Sequence, residues 1–199
     1  LAPARRSFVI WACGLTLLAS LLLNALTILC PEGYYDTLVY HLGVPRAYLL
    51  SGRLGEVPFN AHQHTMGYWH MMYVWGLLLW DEVFCKVLHA GAGVLLVAAV
   101  VTGAGSLAPS SRGAGWVAGL LLGTAPVVCL SGWPAAAEMP TALFGALCGI
   151  AAIRSAAASE DSRAAWARLA GIAGGLALGT KLTGGLAVAR TSVVRDDDV

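Results

Sequence analysis

Long apolar segments separated by short polar runs dominate the pattern of this chain. At a helical rise of about 1.5 Å per residue, roughly 20 apolar residues match the hydrocarbon core of a bilayer, which is about 30 Å thick. Five such segments carry no charge or almost none: 8–29, 87–107, 113–133, 139–153 and about 164–179. The pattern predicts transmembrane helices, because backbone polar groups in lipid must be satisfied within the segment itself.

A sixth apolar stretch, 66–80, is shorter and contains Tyr68, His70 and Tyr73. Its length suits an interfacial or re-entrant helix better than a span. If it does not cross, the basic clusters share one side of the membrane, as the positive-inside rule requires: Arg5, Arg6, Arg112, Arg154, Arg163 and Arg168. We therefore expect about five transmembrane helices, a cytoplasmic amino terminus and a long external loop at about 30–86.

Composition and charge agree with a membrane protein. The chain of 199 residues is 58% hydrophobic with a mean hydropathy of +0.71. Charged residues make up only 12% of it, against about 25% in soluble domains. The net charge of +1 supplies no basic field for nucleic acid, which is excluded as a partner. The expected fold is an all-α polytopic bundle over 1–189, and the polar residues 190–199 are expected to form a disordered tail.

The external loop is expected to hold two juxtamembrane helices. Asp36 can cap a short helix that ends at Gly43, and Pro45 suits the start of a second helix that ends at Gly52. Leucine and tyrosine side chains of these helices can lie on the interface. Arg46 and Arg53 would then reach water or lipid phosphate.

Three ionisable residues are predicted at the outer ends of the spans. On the expected topology Asp36, Glu138 and Lys181 lie on the same side of the membrane. Two carboxylates can bind a divalent cation or supply a general base, and a lysine beside them can hold a phosphate. Each has a structural alternative: helix capping for Asp36, free amides at a helix start for Glu138, and snorkelling to the headgroups for Lys181.

The histidines give a weaker signal. His62, His64 and His70 could bind a metal if the segment folded back, but their spacing matches no strong zinc pattern. His89 lies alone in the second span, where it could ligate a haem or chlorophyll. A hydrogen-bonded packing histidine is the preferred interpretation there.

Several motifs resemble the first external loop of the GT-C glycosyltransferases. They are Tyr-Tyr-Asp-Thr-Leu-Val-Tyr-His-Leu at 34–42, Pro-Arg-Ala-Tyr-Leu at 45–49 and Ser-Gly-Arg-Leu at 51–54. The nearest branch is that of the protein O-mannosyltransferases and the lipid A aminoarabinose transferases. Asp36 and Glu138 match the places of that family's two acids, and Lys181 in Gly-Thr-Lys-Leu-Thr matches a recurring lysine. The resemblance covers roughly 1–185 and implies the amino-terminal portion of a longer enzyme.

The resemblance implies an enzyme of the bacterial inner membrane that transfers a sugar from a polyprenyl phosphate to an acceptor hydroxyl at the outer face. Asp36 and Glu138 would be the catalytic pair, and their carboxylates could bind a divalent metal ion together. The residues expected to bind substrate are Lys181, Tyr40, His41, Arg46 and Arg53.

Two other interpretations stay open. The chain is alternatively a non-catalytic subunit, derived from the GT-C fold, of a larger membrane complex, since its small-residue helix faces suit packing against other subunits. A transporter or pigment-binding subunit centred on His89 is the third interpretation.

Overall fold

The computed structural model describes residues 3–58, 60–65, 67–108, 110–111, 113–186 and 189, and every regular element in these ranges is helical. The helices are α1 (Pro3–Ile28), α2 (Gly43–Ser51), α3 (Tyr68–Leu79), α4 (Glu82–Leu107), α5 (Ala114–Gly123), α6 (Pro126–Ser131), α7 (Glu138–Ala157) and α8 (Glu160–Thr180). A π-helical turn at Thr37–His41 and 3-10 turns at Ala61–Thr65 and Leu182–Gly184 complete them. The predicted tail 190–199 and Arg112 lie outside the described residues.

Three helices are long and apolar enough to cross a membrane: Ser7–Ile28, Glu82–Leu107 and Glu138–Ala157. They correspond to the predicted spans 8–29, 87–107 and 139–153. The expectation of an all-α membrane protein is therefore confirmed in this coarser form. The helix α8 has 21 residues, but its first turns carry Glu160, Asp161 and Arg163, which makes it less apolar.

The predicted continuous span 113–133 is broken in the structure. The helix α5 ends at Gly123, and Ala125 is extended, with φ −61° and ψ 130°. The cause is Pro126, which starts α6: a proline ring disfavours helical backbone at the residue before it and supplies no amide hydrogen. The sequence prediction of one continuous helix here is wrong.

Glycines bring α4 and α7 close together in parallel. The α-carbon of Gly93 faces Met139, and further along both helices Gly103 faces Ile150. Helix α8 returns antiparallel to α7, with Ser155 Oγ donating to the Arg163 carbonyl at 3.2 Å near the turn. The ends of α1 and α8 and the starts of α4 and α7 consequently meet at one end of the bundle, called here the site end.

Helix α3 packs against the first turns of α4 at the site end. Its 12 residues reach only about 18 Å, too short for the hydrocarbon core. The chain reverses at Asp81, whose carboxylate accepts from the Phe84 amide at 3.1 Å and caps α4. This agrees with the prediction that 66–80 does not cross.

The two predicted loop helices are joined rather than separated at Gly43. The Leu42 amide donates to the Thr37 carbonyl at 2.8 Å in a π-helical turn, and α2 follows directly. A β-carbon on Gly43 would press against the Leu38 carbonyl oxygen, so this turn requires glycine. Helix α2 does end at Gly52, whose φ of +64° is the left-handed conformation that glycine favours.

Candidate functional site

An ion pair lies at the site end between the start of α7 and the end of α8. Lys181 Nζ is 2.7 Å from Glu138 Oε1, and the two side chains are 35% and 38% exposed. Glu138 is the first residue of α7, and Lys181 directly follows α8. The two predicted site residues are therefore in contact, and their partial exposure leaves both accessible to a ligand.

The segment before Glu138 is held rigidly in the protein interior. Ala135, Ala136 and Ala137 are buried, and the Tyr73 hydroxyl donates to the Ala136 carbonyl. Tyr73 is itself fully buried, and this burial raises the pKa of its hydroxyl well above its usual value. These contacts fix the direction in which Glu138 enters α7.

His89 contributes to the same helix start. It is fully buried, and its Nε2 accepts from the Met139 amide at 3.2 Å, which satisfies one of the free amides of α7. Because Nε2 accepts, the proton of the neutral ring is on Nδ1. This contact fits the interpretation of His89 as a packing histidine.

Glu32, which the sequence did not single out, joins the loop after α1 to the segment before α7. Its side chain is 8% exposed. Oε1 accepts from the amides of Gly33 and Tyr34 at 3.0 and 2.9 Å, and Oε2 accepts from the Ala135 amide at 3.1 Å. One buried carboxylate thus sets the position of the loop that carries Asp36 relative to the segment that leads to Glu138.

Replacing Glu32 with Gln is expected to lower the free energy of unfolding by about 1–3 kcal/mol. The side chain of Gln has one accepting oxygen and one donating NH2 group. Its NH2 would replace a carboxylate oxygen and leave a backbone amide hydrogen without an acceptor. Thermal unfolding in detergent measures the effect. The matched control is Glu56→Gln, at an exposed loop position, and equal stability of the two variants would contradict the assigned role of Glu32.

A second set of contacts anchors the base of the loop between α1 and α4. Lys86 is fully buried, and its Nζ donates to the carbonyls of Thr27 and Cys30 at 3.3 and 2.7 Å. The Thr27 carbonyl also accepts from the Cys30 amide at 3.2 Å, so Lys86 holds the turn that follows α1. The Glu32 amide donates to Glu82 Oε1 at 3.1 Å, so the first residues of the loop are held against its other end, at the start of α4.

Asp36 lies next to Tyr40 on the turn that precedes α2. Asp36 is half-buried and its side chain caps no helix, which removes the support for its structural alternative. Burial and the Asp36 carboxylate raise the pKa of the Tyr40 hydroxyl, and Glu138 adds to the effect. Tyr40 therefore lies within electrostatic range of both predicted acids.

His41 and His70 form a buried pair beside these residues. Each is 2% exposed, and His41 Nδ1 is 2.7 Å from His70 Nε2. Burial and the adjacent His70 lower the pKa of His41 to about 3, and burial lowers the pKa of His70 to about 4. Both rings are thus neutral at physiological pH. The charges that act on both come from Glu138 and Lys181.

The free energy of unfolding is expected to fall by about 1 kcal/mol or more as the pH is lowered from about 6.5 to 4. In the unfolded chain each histidine takes up a proton near pH 6.5, whereas the folded pair, with its lowered pKa values, does not. Below pH 6.5 the unfolded state therefore binds more protons and is favoured. Thermal unfolding midpoints across this range measure the slope.

The matched variants for this pH dependence are His70→Gln and His64→Gln. The first removes a titrating group from the buried pair and is expected to flatten the slope. His64 is exposed, so its replacement is expected to leave the slope unchanged. Equal slopes in both variants would mean that other groups cause the acid sensitivity.

The two predicted arginines lie away from this cluster. Arg46 Nη2 is 2.6 Å from Glu82 Oε2, so its charge serves an ion pair at the base of the loop. Arg53 is exposed in the turn that follows α2. Of the seven predicted site residues, the structure pairs Glu138 with Lys181 and places Tyr40 beside Asp36 and His41.

The remaining histidines do not converge on a metal site. The His62 ring stacks on Tyr40 with centroids 4.7 Å apart, and His64 contacts Gln63, while His70 pairs with His41. Within the described part of the chain, no group of three or more His, Cys, Asp and Glu side chains is arranged to hold a metal ion. The predicted metal between Asp36 and Glu138 stays a prediction.

A cavity of about 420 Å³ opens beside the ion pair. Its wall is made by small side chains on one face of α7, by the turn after α8 and by the ion pair itself: Glu138, Thr141, Ala142, Gly145, Ala146, Lys181, Thr183 and Gly184. The cavity therefore has a charged end at Glu138 and Lys181 and an apolar side that runs along a membrane-spanning helix. Its volume lies in the range of small-molecule sites.

Comparison with known proteins finds no relative of the chain. No protein family model, curated protein or solved structure matches the chain.

Proposed function

We propose that the chain is a membrane glycosyltransferase module that uses a polyprenyl phosphate sugar as donor and a hydroxyl group as acceptor. The observation that carries the proposal is the ion pair of Glu138 and Lys181 at one end of apolar helices. Asp36, Tyr40 and His41 lie on the turn before α2, and the Glu138 charge acts on Tyr40 and His41. These residues come from the first external loop, the start of α7 and the end of α8. Asp36, Glu138 and Lys181 match the places that the resemblance to GT-C enzymes assigns to the site.

The cavity beside the ion pair suits an amphiphilic donor. Its small side chains leave a trough along α7 for an apolar tail, and Lys181 lies at its polar end. A phosphate group can take the place of the Glu138 carboxylate at Lys181 Nζ, because the ion pair is partly exposed. Carboxylate and phosphate are both anions that accept charge-assisted hydrogen bonds from lysine. The donor's phosphate would thus lie at the bundle end and its chain along the bilayer.

Asp36 is the general base of the proposed reaction. The acceptor O–H bond breaks as its oxygen attacks the anomeric carbon of the sugar, and the proton passes to the Asp36 carboxylate. The bond from the anomeric carbon to the phosphate oxygen breaks, and polyprenyl phosphate leaves with the electron pair beside Lys181. A single displacement of this kind inverts the anomeric carbon.

The proposed topology has five spans, with α5 and α6 forming one interrupted span and α8 the last. The amino terminus would be cytoplasmic and the site end would face the outside of a bacterial inner membrane. Arg154 in the last turn of α7 and Arg163 near the start of α8 then lie at the cytoplasmic end, as the positive-inside rule requires.

The test uses the chain reconstituted in lipid nanodiscs and tritiated polyprenyl phosphate mannose. We expect saturable binding that polyprenyl phosphate without a sugar competes away and that neutral polyprenol does not. Transfer of label is then measured to a serine peptide and to lipid A, the acceptors of the two resembled branches. Failure to bind this probe or its glucose and aminoarabinose counterparts would overturn the proposal and favour the structural-subunit alternative.

A further inference from the structure

A second cavity, of about 630 Å³, lies at the site end, where the end of α1, α2, the end of α3 and the start of α4 meet. The residues that line it are different from those beside the ion pair of Glu138 and Lys181. Much of its wall is apolar and is formed by Leu29, Leu49, Leu50, Leu77, Trp80 and Val83. Leu29, Leu50 and Trp80 are 69%, 90% and 77% exposed. The described part of the chain therefore leaves much of this wall uncovered.

This cavity lies at the boundary between the bilayer and water. The membrane-spanning segment of α1 ends at Ile28 and that of α4 begins at Glu82, and the cavity is lined by Leu29 and Glu82. An exposed tryptophan such as Trp80 is typical of this depth, because indole rings favour the headgroup region of a bilayer. The acyl chains of surrounding phospholipids can thus reach the apolar wall, and their headgroups can reach the polar rim.

The polar rim of the cavity consists of Arg46, Asp81 and Glu82. Arg46 Nη2 is 2.6 Å from Glu82 Oε2, and the arginine side chain is 47% exposed. Because a guanidinium has five N–H donors, it can hold a phosphate as well as this carboxylate. Asp81 is exposed, and a carboxylate that accepts from the Phe84 amide through Oδ1 has further acceptor sites. The rim thus presents one positive and two negative groups side by side.

The charges of the rim complement a headgroup that carries both signs. Basic pockets favour anionic lipids, whereas an excess of carboxylates repels a headgroup whose only charge is a phosphate. A phosphate beside Arg46 therefore requires a cation next to it, facing Asp81 and Glu82. A primary ammonium donates three hydrogen bonds to carboxylates, and a trimethylammonium donates none. The rim consequently favours ethanolamine over choline and over glycerol.

We propose that this cavity binds one phosphatidylethanolamine molecule, with the phosphate at Arg46, the ammonium at Asp81 and Glu82, and the acyl chains along the apolar wall. The inference goes beyond the proposed function and does not depend on it, since it needs only a chain embedded in a bilayer. Glu82 also accepts from the Glu32 amide at 3.1 Å. The bound lipid would therefore contact the base of the loop that carries Asp36.

Lipid binding to the wild-type chain in detergent micelles, measured by native mass spectrometry, tests the choice of headgroup. The probes share dioleoyl chains: phosphatidylethanolamine, its N-methyl and N,N-dimethyl forms, phosphatidylcholine and phosphatidylglycerol. Each methyl group removes a hydrogen-bond donor and leaves the positive charge, so we expect a stepwise loss of affinity, about 3- to 10-fold from ethanolamine to choline. Phosphatidylglycerol is expected to bind most weakly. Equal affinities for the ethanolamine and choline lipids, or tighter binding of phosphatidylglycerol, would overturn the proposal.

Asp81→Asn tests the ammonium contact. It removes one negative charge from the rim and keeps the start of α4 capped, because Asn caps helices about as well as Asp does. We expect its affinity for phosphatidylethanolamine to fall about 3- to 10-fold and its affinity for phosphatidylglycerol to rise. Asp161→Asn makes the same change in the first turn of α8 and is expected to leave both affinities unchanged. Unchanged affinities in Asp81→Asn would overturn the proposal.

Arg46→Gln tests the phosphate contact. We expect it to weaken the binding of phosphatidylethanolamine and phosphatidylcholine alike, by about 10-fold or more, because a charge-assisted hydrogen bond is lost. Dioleoylglycerol has the same chains and no phosphate, so its binding is expected to stay unchanged. The matched control is Arg53→Gln, at an exposed position after α2 that does not line the cavity. An equal loss for dioleoylglycerol would mean that Arg46 shapes the wall and binds no phosphate, which would overturn the proposal.

Discussion

Replacing Asp36 with Asn is expected to lower the rate of sugar transfer by about 100- to 10,000-fold, the usual worth of a general base. Asn keeps the size of the side chain but does not take up the acceptor's proton. Binding of the polyprenyl phosphate sugar is expected to change by less than about twofold, since the base acts on the acceptor. Initial rates of label transfer and the Kd of the donor, measured on the same preparation, separate the two effects.

The control for this variant is Asp161→Asn, at an exposed position in the first turn of α8, far from the site end. Its transfer rate is expected to equal that of the wild type. An unchanged rate in Asp36→Asn would remove the general-base role. A parallel loss of donor binding would instead mean that Asp36 shapes the loop rather than the reaction.

Replacing Gly67 with Ala is expected to lower the free energy of unfolding by about 1–3 kcal/mol. A β-carbon on Gly67 would overlap the carbonyl oxygens of Gly179 and Thr180. Backbone atoms do not move aside as a flexible side chain does, so the start of α3 and the end of α8 must separate. Because Lys181 follows Thr180, we also expect donor binding to weaken. Thermal unfolding and donor affinity are the two measurements.

Gly149→Ala is the matched control for this variant. Gly149 lies within α7, and a β-carbon there meets nothing within 4 Å. Alanine is the better helix former, so this variant is expected to be as stable as the wild type or more stable by up to about 1 kcal/mol. Equal stability of both alanine variants would contradict the close approach of α3 to α8.

The membrane helices were the part of the fold most open to sequence prediction. Runs of apolar residues near the thickness of a bilayer are a local property, which is why 8–29, 87–107 and 139–153 correspond to helices of the expected kind. The break at Pro126 was equally local, but the average hydropathy of 113–133 conceals it. A single proline has to be considered separately from the mean of the segment around it.

The site was predictable only in outline. Parity of the spans placed Glu138 and Lys181 at one end, where the structure joins them in an ion pair. The partners of Glu32 and His70 did not follow, because Glu32 meets Ala135 across 103 residues of chain and His70 meets His41 across 29. Contacts of this kind depend on how helices pack, and no spacing in the sequence reports them.

The contacts that join the two ends of the loop between α1 and α4 change the entropy of closing the segment between them. Glu32 and Glu82 are joined although they are 50 positions apart in the sequence, so most of the entropy of closing this loop is lost at its base. Each doubling of loop length beyond that costs only about 0.6 kcal/mol. The exposed residues 52–56 that follow α2 can therefore vary in number at little cost in free energy, while the Asp36 turn stays in place.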